Sequence, residues 1–230
     1  VAEATAIALD AHPDLDVTSA VPSGAPAPVL LAEAEHAHTV VLGAKGRDGF
    51  GSLLLGSVAL QVVGHAACPV VIVNHITTGH RRIVVGVDGS EHSDAALAYA
   101  FQQASLRSAQ LRALHAWSPP VPHAVVSAAQ DAMAKEHQEA LEEWLAPLRE
   151  EYPDVEVVEQ LSDESPVFAL ARASDRADLL VVGSRGRGGF RGLALGSVSQ
   201  HLLQFSLCPL AVVRPRRQTA LSDSRIAGLP

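Results

Sequence analysis

The sequence predicts an α/β protein: an open, mostly parallel five-stranded sheet with helices on both faces, present twice in tandem. Two observations carry that prediction. Short, branched apolar runs alternate with amphipathic stretches, as buried parallel strands alternate with helices. A glycine pattern also recurs at one offset: Gly43, Gly46, Gly56 and Ser57 are answered by Gly183, Gly186, Gly196 and Ser197, each 140 positions later (183 − 43, 197 − 57). Gly43-Ala-Lys-Gly-Arg-Asp-Gly-Phe50 reads against Gly183-Ser-Arg-Gly-Arg-Gly-Gly-Phe190, and Cys68-Pro69 against Cys208-Pro209. A gap-free offset is the mark of a duplicated unit. The division is residues 1–76 for a first copy truncated at its N-terminus, 81–215 for a complete second copy, and 216–230 for a disordered tail.

The second copy justifies each element in order. Arg82 to Asp88 is a branched apolar run and reads as the first strand. Gly89 to Asp94 ends it and caps a helix that continues through Ala95 to about Ser108. Gln110 to Trp117 is the second strand; after Pro119 to Pro122 a long Ala/Glu-rich helix reaches about Glu151. Val155 to Leu161 is the third strand, and Ser165-Pro166 opens a helix ending near Arg176. Asp178 to Gly183 is the fourth strand, followed by the glycine loop, a helix from Ser197 to about Ser206, and a last strand, Leu210 to Val213. In the first copy the same offset predicts a helix ending near His12, a strand at Leu15 to Val21 and another at Val40 to Gly43. Counterparts of the first two strands and the helix between them are missing. That copy should therefore expose a sheet edge and apolar helix faces, and need the second copy or another chain to cover it.

Composition narrows the function classes. The net charge of −8 opposes a general nucleic-acid surface. Arg214, Arg216 and Arg217 read as a solvated flank of the tail. The two cysteines, in equivalent places, read as separate buried free thiols of a cytoplasmic protein. No apolar run approaches the roughly 20 residues of a membrane span, and the first residues, with Glu3 and Asp10, lack a basic leader. The eleven histidines show no metal-ligand spacing, the His36/His38 pair included. Trp117 and Trp144 read as core or interface packing.

The glycine loops carry the chemistry. Glycines let the backbone approach a ligand and present successive N–H groups to phosphate oxygens. Ser197 suits both a helix cap and a hydroxyl contact to phosphate. Arg185 and Arg187 offer forked donors to anionic oxygens. Asp88, acceptor-only when ionised, suits ribose hydroxyls or a Mg²⁺ ion. The absence of Gly-Lys-Ser/Thr excludes a P-loop, and Gly186-Arg-Gly-Gly-Phe-Arg191 lacks the third glycine of a dinucleotide fingerprint. Asp88 is the lone general-base candidate, which does not make a catalytic constellation.

The spacing Gly-x-x-Gly-x9-Gly-Ser, preceded by a Val-rich strand and followed by a helix and Cys-Pro, resembles that of the universal stress protein family. So does Val85-Gly-Val-Asp-Gly-Ser90. The resemblance implies an adenine-nucleotide α-hydrolase-like fold that binds ATP, with Mg²⁺ as accompanying ion, and acts as a stress regulator, not an enzyme. It implies a homodimer through the last strand; the charge and the short apolar runs give neither nucleic acid nor membrane as partner. Carried across, Gly86 and Val87 flank the nucleotide-contacting Asp88, and Ala116 approaches the adenine. Gly183, Gly186 and Gly189 surround phosphates and ribose, and Gly196, Ser197 and Val198 hold the phosphates. The first copy keeps Gly43, Gly46, Gly49, Gly56, Ser57 and Val58 but lacks the acid and the adenine wall. Two other readings compete. One is a dimerisation or partner-binding module that uses the fold without nucleotide. The other is an enzyme acting on an α-phosphate, for which the chain lacks a substrate domain.

Overall fold

The computed structural model describes residues 1–44, 55–77, 79–117, 128–188 and 192–215. In the first copy they form α1 (Ala2–Ala11), α2 (Pro26–Ala34), β1 (Val40–Gly43), α3 (Ser57–His65) and β2 (Val70–Val73). The second copy supplies β3 (Arg82–Gly86), α4 (Glu91–Arg107), β4 (Gln110–Ala116), α5 (Ala128–Glu151) and β5 (Val157–Ser162). It ends with α6 (Pro166–Ser174), β6 (Leu179–Gly183), α7 (Ser197–Phe205) and β7 (Leu210–Val213). The elements around the glycine loops keep the sequence offset: α3 and α7 start 140 residues apart (197 − 57), as do β2 and β7 (210 − 70).

The strands make one seven-stranded sheet in the order β1-β2-β7-β6-β3-β4-β5. Every pair is parallel except β2–β7, which runs antiparallel with Val71 opposite Ala211. The five strands expected per copy are present in the second. Two strands of the first copy extend that sheet because β2 takes up the ladder groups that β7 would otherwise leave open. The edge of β7 that the resemblance assigns to a homodimer is thus paired within the chain.

Side-chain alternation along the strands builds a core on each face. Val84, Leu180, Val182, Leu210 and Val212 pack beneath α2, α3, α6 and α7. Ile83, Val85, Leu111, Val181, Ala211 and Val213 pack beneath α4 and α5. Two caps read from the sequence are made: Ser90 Oγ accepts from Ser93 N at 3.2 Å and Ser165 Oγ from Phe168 N at 3.4 Å. Both cysteines are buried and neither is in a disulfide, and burial pushes the Cys208 thiol up to about 11. No helix among the described residues is long and apolar enough to cross a membrane.

Two expectations fail, one in the first copy and one at the end of the second. Leu15 to Val21 forms no strand, and Leu15 and Val21 are exposed. Its counterpart β5 is held by β4, and nothing among the described residues stands beside 15–21 in that role. A lone extended segment leaves its ladder groups to water. The second failure is Arg214, which is not a solvated flank. Its guanidinium donates to Val63 O at 3.1 Å, to Gly64 O, and to Ala194 O at 2.6 Å. Arg216 and Arg217 lie outside the described residues, as does the tail expected from 216 onward.

Asn74, the positional counterpart of Arg214 (214 − 74 = 140), reaches the other way. Its Nδ2 donates to Ser206 O, the C-cap of α7, at 2.8 Å. Each copy thus closes the last helix of the other, where unpaired carbonyls carry partial negative charge. The first copy is tied to the second by this exchange and by the β2–β7 ladder, while Val41 on β1 and Ile7 on α1 stay exposed. Replacing Arg214 by Met should cost about 1–3 kcal/mol in urea unfolding, because part-buried carbonyls lose a charged donor; an unchanged midpoint would show that the bridge contributes nothing.

Candidate functional site

The chain runs outward from β3 to β4 and β5 on one side, then returns to β6 and β7 on the other. Such a reversal leaves a crevice beyond the carboxyl ends of the strands. Gly86, Val87, Asp88, Ala116, Gly183, Arg185, Gly186, Arg187, Gly196, Ser197 and Val198 all line one cleft there, with a volume of about 630 Å³. Gly189 lies outside the described residues, as do Gly46 and Gly49. Gly43 ends β1, Gly56 is the N-cap of α3, and Ser57 and Val58 begin that helix; none of the four lines this cleft.

Asp88 is the hub of the site. Its Oδ1 accepts from Ser90 N at 3.1 Å and Ser90 Oγ at 2.6 Å, and its Oδ2 accepts from Arg187 N at 3.1 Å. One carboxylate therefore joins the end of β3, the cap of α4 and the glycine loop. Its backbone N–H donates to Ser93 Oγ at 3.1 Å.

The glycines answer to the protein before any ligand. A Cβ on Gly186 would run into Asp88 Oδ2, and one on Gly183 would lie 2.8 Å from the His92 carbonyl. One on Gly196 would stand 3.2 Å from Arg185 Cα, whereas Gly188 faces open space. Gly89 holds a φ of +70°, and a Cβ there would collide with Trp144. Gly183 and Gly186 thus have a reason within the protein itself to stay small: the loop lies on α4 and on Asp88.

The two arginines are held by neutral partners. Arg185 Nε donates to His92 Nε2 at 3.0 Å, so that nitrogen carries no proton and His92 Nδ1–H donates to Ser184 Oγ at 2.9 Å. Burial, then the Arg185 charge, keeps the His92 imidazole below its ordinary 6.5. The Arg187 guanidinium lies over the Trp144 ring, 5.2 Å from its centroid. Among the described residues no carboxylate forms an ion pair with either. Beside them α7 begins with Gly196 as N-cap and no side-chain cap, leaving its first N–H groups open. Ser197 is the first helical residue and not the cap, which corrects one of its two expected roles.

Several lining residues escape a reading by motif: Ser93, His115, Trp117, Met133, His137 and Ser199. His115 is buried against Trp144, edge to face at 5.3 Å, and His137 stacks on Trp117 at 4.9 Å. Trp117 therefore walls the cleft, while Trp144 also packs against the core as expected. Ser93 and Ser199 follow Ser90 and Gly196 by three residues, a cap-like spacing that was the one available signal. No group of three or more His, Cys, Asp or Glu among the described residues could hold a metal.

With this geometry in place, the comparisons with known proteins agree on a class: α/β proteins of the universal stress protein fold. The universal stress protein family model matches residues 1–74 and 79–214, and the chain belongs to that family. It is 37% identical over 212 residues to Universal stress protein Rv2005c of Mycobacterium tuberculosis, covering 90% of this chain and 72% of that one. Universal stress protein Rv2623 of the same organism is 36% identical over 203 residues, covering 86% and 68%. The crystal structure of a universal stress protein from Archaeoglobus fulgidus shares the fold, with a TM-score of 0.62 at 24% identity over 93% of this chain and 74% of that one.

Two outcomes follow from the geometry. Gly186→Ala should destabilise the protein by about 1–3 kcal/mol through overpacking against Asp88, while Gly188→Ala stays within about 0.5 kcal/mol. Equal effects in chemical denaturation would show that the loop does not lean on the carboxylate. Burial also keeps His115 below 6.5, as it does His92, so the unfolded chain binds protons more readily than the folded one. Their contribution is complete above about pH 6.5 and is lost as pH falls through the folded values. Melting temperature should decline below about pH 6.5, and less steeply in His92→Asn; matching slopes would remove His92 from the account.

Proposed function

We propose that the cleft of the second copy binds ATP and that the protein acts as a nucleotide-responsive stress regulator, not as an enzyme. The single observation that carries this reading is the pairing of two guanidiniums, Arg185 and Arg187, with an uncapped helix N-terminus across one cleft. A polyanion suits them because both cations are already oriented and neither has a carboxylate to give up. The α7 N–H groups add fixed partial positive charge. Leu114, Ala116, Pro166 and Leu170 supply an apolar wall for a base. Two tandem repeats, with nucleotide held by the second, is the organisation that goes with this reading.

The residues fit a nucleotide better than they fit a resident metal. Asp88 already accepts three hydrogen bonds from the protein, so its oxygens are committed to the loop and the α4 cap. Mg²⁺ gains no support from the described residues. Asp88 in this reading is a positioning residue that sets the loop before ligand arrives. A homodimer would use the open edge of β1, since β7 is engaged within the chain.

Isothermal titration with ATP tests the reading. Binding near one site per chain is expected, weakened at least tenfold (about 1.4 kcal/mol) by Gly196→Val, by Asp88→Ala and by Arg185→Ala. No heat and no thermal shift at millimolar ATP, with the protein folded, would overturn it and leave the partner-binding module.

A further inference from the structure

The geometry points to His137 as a residue that selects the base of the bound nucleotide, favouring a purine with a 6-amino group over one with a 6-oxo group. The inference rests on the nucleotide reading of the cleft and concerns a chain of hydrogen bonds outside the glycine loop. That chain begins at the carbonyl of Val87, the residue before Asp88. His115 Nδ1 lies 2.7 Å from Val87 O. A carbonyl only accepts, so this nitrogen carries the proton. The neutral ring then has a bare Nε2, which lies 3.0 Å from His137 Nδ1. His137 must donate there. In its own neutral form its remaining nitrogen, Nε2, is an acceptor.

Burial makes His115 hold this arrangement, since it keeps that imidazole neutral. The tautomer of His137 is thereby dictated by a backbone carbonyl two residues removed in the hydrogen-bond chain. His137 is also locked in orientation, stacked on Trp117 with 29° between the planes. It lines the same cleft as Trp117, Met133 and Ala116, and as Arg185 and the α7 N-terminus. No described residue takes the Nε2 lone pair.

A fixed acceptor in an apolar-walled cleft discriminates by what it leaves unpaired. A 6-aminopurine brings an N–H₂ donor; a 6-oxopurine brings a carbonyl, acceptor against acceptor. The stacking surface of Trp117 and the imidazole face are the same for both, so they contribute affinity without contributing choice.

ATP and inosine triphosphate differ at this position of the ring and share the triphosphate, which makes them the probe pair. Titrations at about pH 8, where an ordinary imidazole is neutral, should show ATP binding roughly tenfold more tightly than inosine triphosphate. In His137→Phe and His137→Gln the ratio should fall to within about twofold, because Phe offers no acceptor and Gln offers either group, while far-UV circular dichroism is unchanged. A merely structural His137 would lower both affinities and preserve the ratio. Equal affinities in the unmutated protein, or a ratio that survives both substitutions, overturn the inference while leaving the nucleotide reading intact. Binding of neither triphosphate overturns both.

Discussion

The site depends on one carboxylate. Asp88 stands where β3 ends, and three donors converge on it: two from Ser90, which caps α4, and one from the backbone of Arg187 in the glycine loop. Strand end and helix cap are neighbours in sequence, but the loop stands 99 residues away, so no local preference brings it to them. The charged acceptor compensates for that ordering, since hydrogen bonds to an ionised group are roughly twice as strong as neutral ones. The absence of a Cβ at Gly186 is what lets the loop come this close.

Around that clamp an acidic protein assembles a local cationic surface. The chain carries a net charge of −8, yet Arg185 and Arg187 face the cleft with imidazole and indole as their neighbours. A carboxylate partner would have compensated each charge and competed with an anionic ligand. A neutral imidazole orients Arg185 through one N–H and leaves its remaining donors for a ligand. The low proton affinity of His92 belongs to the same device, because a protonated ring would repel the guanidinium it holds.

The first copy contributes to the same site from a distance. Its β2 closes the edge of β7, and the carbonyls ending α3 receive Arg214, which at once holds Ala194 in the segment leading to α7. Position 74 answers position 214 by reaching the C-cap of α7. Sequence duplication is expressed here as reciprocal contact. The approximate two-fold relation puts each strand end beside the other copy's last helix.

Much was legible in the sequence, and for physical reasons. Branched runs such as Ile83-Val-Val85 and Leu179-Leu-Val-Val182 mark buried parallel strands wherever they fall. Ser90 and Ser165 mark helix starts through their own hydroxyls, and the fixed offset placed α3, α7, β2 and β7. The cleft residues of the glycine motif were visible too, because motif spacing and strand ends are local properties. Tertiary structure decided the rest. Whether 15–21 becomes a strand depends on a neighbour that the segment itself does not encode. His92, His115 and His137 stand on α4, β4 and α5, with no spacing that announces an Arg185 anchor or a relay from Val87. Hydrogen-bond direction and tautomer exist only once a carbonyl from one strand, an imidazole from the next and a helix above them meet in a buried place.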